Sequence, residues 1–196
     1  MTDAPAIDPA TTALLVMDYQ LSVVSMIEDA DALVARAAGA IAAARAAGIV
    51  VGYVRVAFDD QDYAAIPNTN KTFTALAGRR RLQDTDPETG IDPRVAPEPA
   101  DIIVRKVRVG AFSTTDLDDQ LRGRGITTLI LAGISTSGVV LSTVRAAADM
   151  DYRVYVLEDA CADPDAVNHE TLTQRIFPRQ GYVIAAADLA GLLLPA

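Results

Sequence analysis

Short apolar runs alternate along the chain with segments in which apolar residues recur every three or four positions. The runs at 13–17, 49–56, 101–106, 129–132, 152–157 and 181–185 are typical of strands buried in a sheet. Between them, helical spacing predicts helices, as at Leu33, Ala37, Ile41 and Ala44. A capping carboxylate followed by proline, Asp163-Pro164, predicts a further helix start. This alternation predicts an α/β fold, with a six-stranded, mainly parallel sheet between two helical layers.

The regular pattern fails between residues 57 and 100, which we interpret as an irregular lid or interface arm. The rest of the pattern runs on without a linker, so we predict a single domain over residues 1–196. The arm contains five prolines, scattered charges and one weak helix candidate near residues 70–77. Its arginine run at 79–81 has two readings. It contacts an anionic substrate, or, as we favour, it belongs to a solvated or subunit-contacting surface.

Composition narrows the classes of function. The 196 residues are 51% apolar, which indicates a globular protein with a sizeable core. A net charge of −9 argues against binding to nucleic acid or to an anionic membrane, and no apolar stretch approaches the roughly 20 residues of a membrane span. Residues 1–10 lack a signal-peptide pattern. The single cysteine, Cys161, excludes an intramolecular disulfide and favours the cytoplasm.

Charged and small residues follow three of the predicted strands. Asp18 comes directly after the first strand, Lys106 ends the third, and a loop of small residues from Gly133 to Gly138 separates the fourth from a helix. Ligands of parallel sheets bind at the carboxyl ends of the strands, where helix N-termini favour negative charge. We therefore expect any chemistry at this edge of the sheet.

These same residues resemble three motifs of the isochorismatase-like hydrolases, the superfamily of isochorismatase, nicotinamidase and N-carbamoylsarcosine amidase. The resemblance implies the strand order 3-2-1-4-5-6, a small-molecule substrate and a homodimer or larger homo-oligomer. It also implies that Asp18 and Lys106 are catalytic and that Gln20, Phe58 and Phe112 line the substrate pocket. The matching segments are Val16-Met-Asp18-Tyr-Gln20 and Lys106 with Gly110-Ala-Phe112. In the third motif the matching residues are Gly133, Ile134, Thr136, Val140, Thr143 and Arg145.

One position departs from the family pattern. Where its amidases carry a nucleophilic cysteine, this chain has Val139, which has neither a lone pair nor a proton to offer. The resemblance implies a cis peptide bond before the loop, and backbone N–H groups of Gly138 and Val139 that hold an oxyanion. The hydroxyl groups of Ser135 and Thr136 are the other possible nucleophiles in this loop. We favour a helix-capping role for them, because the motifs place no histidine base nearby.

The remaining reactive side chains are interpreted as structural. Cys161 follows a strand and is expected to pack there, and His169 shares a helix face with apolar residues, which favours a packed or interface histidine. The zinc-binding histidines of nicotinamidases have no counterpart in residues 55–63. We therefore predict neither a catalytic metal nor a cofactor.

Three hypotheses for the function remain open. We favour a hydrolase that uses Asp18 and Lys106 without a covalent intermediate, on a vinyl ether or another small substrate, because isochorismatase itself lacks the cysteine. The second is a catalytically silent relative that serves in binding or assembly. The third is a thiol-free amidase that acts on C–N bonds.

Asp18 and Lys106 also have a structural interpretation, as an ion pair that holds two strand ends together. Those strands are two spacings, about 10 Å, apart, so Lys106 has to lean towards Asp18.

Overall fold

Six parallel strands form one sheet in the order β3-β2-β1-β4-β5-β6 in this computed structural model, which describes residues 4–194. The predicted α/β fold and strand order are thus confirmed. The strands are β1 (Thr12–Met17), β2 (Val50–Val56), β3 (Ile102–Lys106), β4 (Thr128–Ile134), β5 (Arg153–Ala162) and β6 (Tyr182–Ile184).

Helices cover both faces of the sheet. Alternate residues of β1 point to opposite faces, so Leu14 and Val16 join one apolar cluster while Leu15 and Met17 join the other. Helix α2 packs on the first cluster, and α5 and α6 pack on the second. The helices are α1 (Leu21–Val24), α2 (Ala30–Ala46), α3 (Asp60–Ala64), α4 (Lys71–Gly78), α5 (Leu117–Arg122), α6 (Leu141–Asp149), α7 (Ala166–Thr171) and α8 (Leu189–Leu192). None of the helices described is long and apolar enough to cross a membrane.

One predicted helix boundary was wrong. The sequence Asp163-Pro164 suggested a helix start, but β5 continues to Ala162 and α7 begins only at Ala166. Asp165 caps this helix, since its side chain accepts a hydrogen bond from the backbone N–H of Val167. The long β5 carries the chain further along the carboxyl edge of the sheet than the apolar run alone indicated.

The arm at 57–100 has its own local order. Helix α3 begins in a reciprocal cap between Asp59 and Asp62, and α4 lies where the weak helix candidate was predicted, capped by Asn70. Phe58 and Phe73 form a small aromatic cluster, with ring centroids 5.7 Å apart. The two short turns Pro87–Thr89 and Pro93–Val95 lead back to β3. Caps and this small cluster thus order a segment that lacks regular periodicity.

Candidate active site

The side chains of Asp18 and Lys106 meet at the carboxyl edge of the sheet although β2 lies between their strands. The backbone N–H of Asp18 donates to Val54 O at 2.8 Å, which keeps the end of β1 beside β2, and Asp18 adopts a positive φ of 57°. Lys106 ends β3 opposite Val56. From there its side chain reaches across, and Nζ lies 2.9 Å from Asp18 Oδ2. The expected lean of the lysine is therefore observed.

Burial sets the electrostatics of this pair. Asp18 is 6% exposed and Lys106 is 2% exposed. Burial raises the pKa of Asp18 to about 6, against the opposing effect of the Lys106 charge. Lys106 Nζ also donates to Arg108 O at 3.2 Å. Asp18 Oδ1, in contrast, is buried without a hydrogen-bond partner among residues 4–194. A buried carboxyl oxygen left unpaired is costly, so this atom is the natural position for a proton.

The loop after β4 adjoins both residues of the pair. Met17, directly before Asp18, is in register with Gly133, so the loop begins beside the end of β1. The Ile134–Ser135 peptide bond is cis. A Cβ added to Gly138 would lie 4.0 Å from the side chain of Val109, in the segment after Lys106, and only 2.7 Å from Ser135 Oγ. The three motifs therefore lie at one edge of the sheet, and a side chain at position 138 would require Ser135 Oγ to move.

Most polar groups of this loop are already engaged. The N–H of Gly138 donates to Ser135 O at 3.1 Å, and the N–H of Ser137 donates to Asp163 Oδ2 at 2.7 Å. Binding of an oxyanion by Gly138 would therefore require its bond to open. Ser135 is half-buried, whereas Val139 is 2% exposed and packs in the second apolar cluster, with no polar atom in its side chain.

His169 is a neighbour of the loop that the sequence motifs missed. Its Nδ1 lies 2.8 Å from Thr136 Oγ1, so the expectation that no histidine stands near the loop hydroxyls was wrong. Burial lowers the pKa of His169, and the carboxylates of Glu158 and Asp163 oppose this effect. The strand order implied one signal for this contact between His169 and the loop. A helix that follows β5 starts at the same edge as the loop after the neighbouring β4.

The three predicted pocket residues are held in the interior. The amide of Gln20 donates to Val56 O at 2.9 Å and to Thr89 O at 2.7 Å, and it accepts from Val56 N at 2.8 Å. Phe58 is fully buried and stacks on Tyr63. Phe112 stacks on Tyr152, with ring centroids 6.0 Å apart. Hydrogen bonds hold Gln20 and aromatic packing holds the two phenylalanines, and the role of all three in substrate binding stays a prediction.

No thiolate is available at this edge of the sheet. Cys161, the only cysteine of the chain, is buried, and burial raises the pKa of its thiol to about 12. Its Sγ lies 3.8 Å from Leu131 O, within the sheet. Within the described part of the chain, no three His, Cys, Asp or Glu side chains are grouped so as to hold a metal ion.

Comparisons with known proteins agree with this arrangement. Residues 12–188 match the family model described as the Isochorismatase domain. The ureidoacrylate amidohydrolase RutB of Methylobacterium radiotolerans is 35% identical over 191 residues, covering 85% of this chain and 74% of RutB. The isochorismatase family protein YecD of Escherichia coli O157:H7 is 33% identical over 193 residues, covering 93% and 96%. The structure of an isochorismatase family protein from Burkholderia thailandensis superimposes with a TM-score of 0.82 at 31% identity, covering 97% and 98%. The chain therefore belongs to the isochorismatase family of hydrolases.

Proposed function

We propose that this hydrolase cleaves a small molecule with water as the nucleophile, and that Asp18 carries the proton. The observation behind the proposal is the buried carboxyl group itself. Lys106 holds one of its oxygens, the other has no partner, and burial raises its pKa to about 6. An acid with that pKa is about one-tenth protonated at pH 7, so it can act near neutral pH as a donor or as an acceptor.

The favoured substrate class is a vinyl ether. Protonated Asp18 transfers its proton to the alkene carbon, and water adds to the carbocation that forms beside the ether oxygen. One proton of the added water returns to Asp18, and the hemiketal then breaks its C–O bond. The remaining hydroxyl proton passes to the departing oxygen, which releases an alcohol and a carbonyl compound. Lys106 fixes the carboxyl group through Oδ2 and stabilises the carboxylate between the two proton transfers. No step requires a thiol, so Val139 is compatible with this chemistry.

Hydrolysis of a C–N bond is the second candidate, and the similarity to a protein named ureidoacrylate amidohydrolase favours it. The same residues would then act in the opposite protonation state. Deprotonated Asp18 takes a proton from water, the hydroxide attacks the carbonyl carbon, and the proton passes to the departing nitrogen. This route forms no acyl-enzyme, because neither Val139 nor the buried Cys161 supplies a nucleophile.

A panel of vinyl ethers, N-carbamoyl compounds and amides tests both candidates. We expect turnover by the wild-type protein and a loss of about 100-fold or more in kcat for Asp18→Asn and Lys106→Met, as is usual when acid–base catalysis is removed. Cys161→Ala is the control and should stay active. Activity that survives Asp18→Asn would refute the mechanism. A folded protein that turns over no compound of the panel would favour the silent, binding relative.

The pH profile separates the two candidates. If Asp18 is the acid, kcat/KM falls as the pH rises through about 6, and if Asp18 is the base, kcat/KM rises over the same interval. In either case the limb near pH 6 should be absent from the residual activity of Asp18→Asn.

A further inference from the structure

A cavity lies between α1 and the arm, and the proposed chemistry does not use it. Its volume is about 300 Å³, at the lower end of the range for small-molecule sites. Asp18 and Lys106 are not among its lining residues. The lining comes from the α1 region and from the end of α4 with the residues that follow it: Ser22, Val23, Met26, Ala75, Leu76, Arg79, Arg81 and Leu82.

Two arginines beside this apolar lining have no anionic partner. Arg79 and Arg81 make no ion pair with any carboxylate of residues 4–194, and none of the lining residues is acidic. Arg80 differs from its neighbours, because it pairs with Asp60 and lies over the ring of Tyr63. Both side chains are exposed, and in a chain of net charge −9 two guanidinium groups without a carboxylate partner beside an apolar cavity favour a negatively charged ligand.

Apolar side chains supply most of the lining. Ser22 also lines the cavity, but its hydroxyl oxygen is inaccessible to solvent and therefore does not face the open space. Met26, on the same cavity, keeps 49% of its surface exposed, so the cavity offers apolar contact as well as charge.

We propose that this cavity binds a small organic anion with an apolar body, such as a medium-chain carboxylate. The carboxylate lies against Arg79 and Arg81, and the hydrocarbon chain packs on Val23, Leu76 and Leu82. A small molecule fits the volume better than a protein segment does, and an acid fits the arginines better than a neutral lipid does. The proposal is independent of the hydrolysis, because it uses neither Asp18 nor Lys106.

Titration calorimetry of the full chain with octanoate, and with 1-octanol as the neutral analogue, tests the proposal. We expect octanoate to bind with one-to-one stoichiometry and 1-octanol to bind about tenfold more weakly or not at all. The double variant R79Q/R81Q should weaken octanoate about tenfold or more and leave 1-octanol unchanged. Ala75→Trp, at an exposed helix position on the cavity, should block both ligands.

Two controls keep the result specific. Lys71→Gln removes an exposed charge from the same helix outside the cavity, and it should bind octanoate as the wild type does. Asp18→Asn should also bind normally, even if it abolishes hydrolysis. The proposal is overturned if the wild type does not bind octanoate, or if R79Q/R81Q binds it with unchanged affinity. It is equally overturned if Ala75→Trp turns an oligomer into a monomer, since a second copy of the chain would then cover the cavity.

Discussion

At the scale of single residues, Asp18 is defined by the different surroundings of its two carboxyl oxygens. Lys106 holds Oδ2 at 2.9 Å, while Oδ1 is buried and unpaired. The loss of hydration outweighs the attraction of the lysine, so the protonated form is favoured more than in an exposed aspartate. An ion pair that served stability alone would be expected to satisfy both oxygens, which supports the proposed role of the pair in proton transfer.

The raised pKa of Asp18 predicts how stability depends on pH. Between pH 3.8 and about 6 the native carboxyl group keeps a proton that the unfolded one has lost, so its contribution to stability falls as the pH rises. The loss amounts to about 3 kcal/mol. Urea unfolding of the wild type and of the double variant D18N/K106M should show this as a falling difference in the free energy of unfolding between pH 4 and pH 7. A difference that stays constant with pH would contradict the raised pKa.

Val139→Cys should create the reactive thiol that this chain lacks. The wild-type protein should resist iodoacetamide, because burial raises the pKa of Cys161 to about 12. A cysteine at position 139 would lie just before α6, at the edge that also holds Lys106. Both features favour the thiolate and are expected to outweigh the opposing effect of burial at this position. Mass spectrometry should find one rapid label, and stability should fall by less than about 1.5 kcal/mol. Labelling no faster than that of a free thiol at the same pH would mean that the loop does not face an electropositive site.

At the scale of elements, Gln20 fastens the arm to the sheet. Its side-chain amide makes three hydrogen bonds, two with the backbone at the end of β2 and one with Thr89 in the arm. Gln20 follows the catalytic candidate Asp18 by only two positions, so the same strand end anchors the site and the arm. Burial of this amide is tolerated because every bond is made to a backbone group that would otherwise be unpaired.

Gln20→Ala should therefore destabilise the protein by about 2–4 kcal/mol, since it leaves buried backbone groups of Val56 and Thr89 without partners. Urea unfolding measures the loss, and hydrogen exchange should show faster exchange in the residues around Thr89. Gln61→Ala, at an exposed position of α3, is the matched control and should change stability by less than about 0.5 kcal/mol. Equal effects of the two substitutions would rule out the fastening role.

At the scale of the whole molecule, the apolar surface left exposed lies partly on the two edge strands. Among the leucines of residues 189–194, Leu189 is fully buried and Leu193 pairs with Ile7, whereas Leu194 keeps 46% of its surface exposed. Ile103 on β3 and Tyr182 on β6 keep 50% and 37% of their surfaces exposed. Exposed apolar edge strands are natural sites of self-association.

We accordingly predict a homodimer or larger homo-oligomer at micromolar concentration, measured by light scattering. Ile103→Lys places a charge on the β3 edge and should shift the mass towards the monomer if that edge is the contact. Arg153→Lys, on an exposed position of β5, keeps the charge and serves as the control. A wild-type protein that is monomeric throughout this concentration range would refute the prediction.

The sequence by itself determined the layout of this protein. Strands buried on both faces of a parallel sheet need continuous apolar runs, and these runs marked the six strands in advance. Because carboxyl ends of parallel strands share one edge, the positions of Asp18, Lys106 and the loop after Gly133 also followed from the sequence. Single-domain organisation and self-association are predictions that rest on the same patterns.

Only the tertiary structure decided which side chains touch. The ion pair spans an intervening strand, Gln20 turns to the backbone of β2 and the arm, and His169 reaches Thr136 from a helix that begins later than predicted. Apolar periodicity assigns a residue to a face and carries no information about its polar partner. Those partners depend on strand twist, on where each strand and helix ends and on local burial, which arise only when segments distant in sequence are packed together.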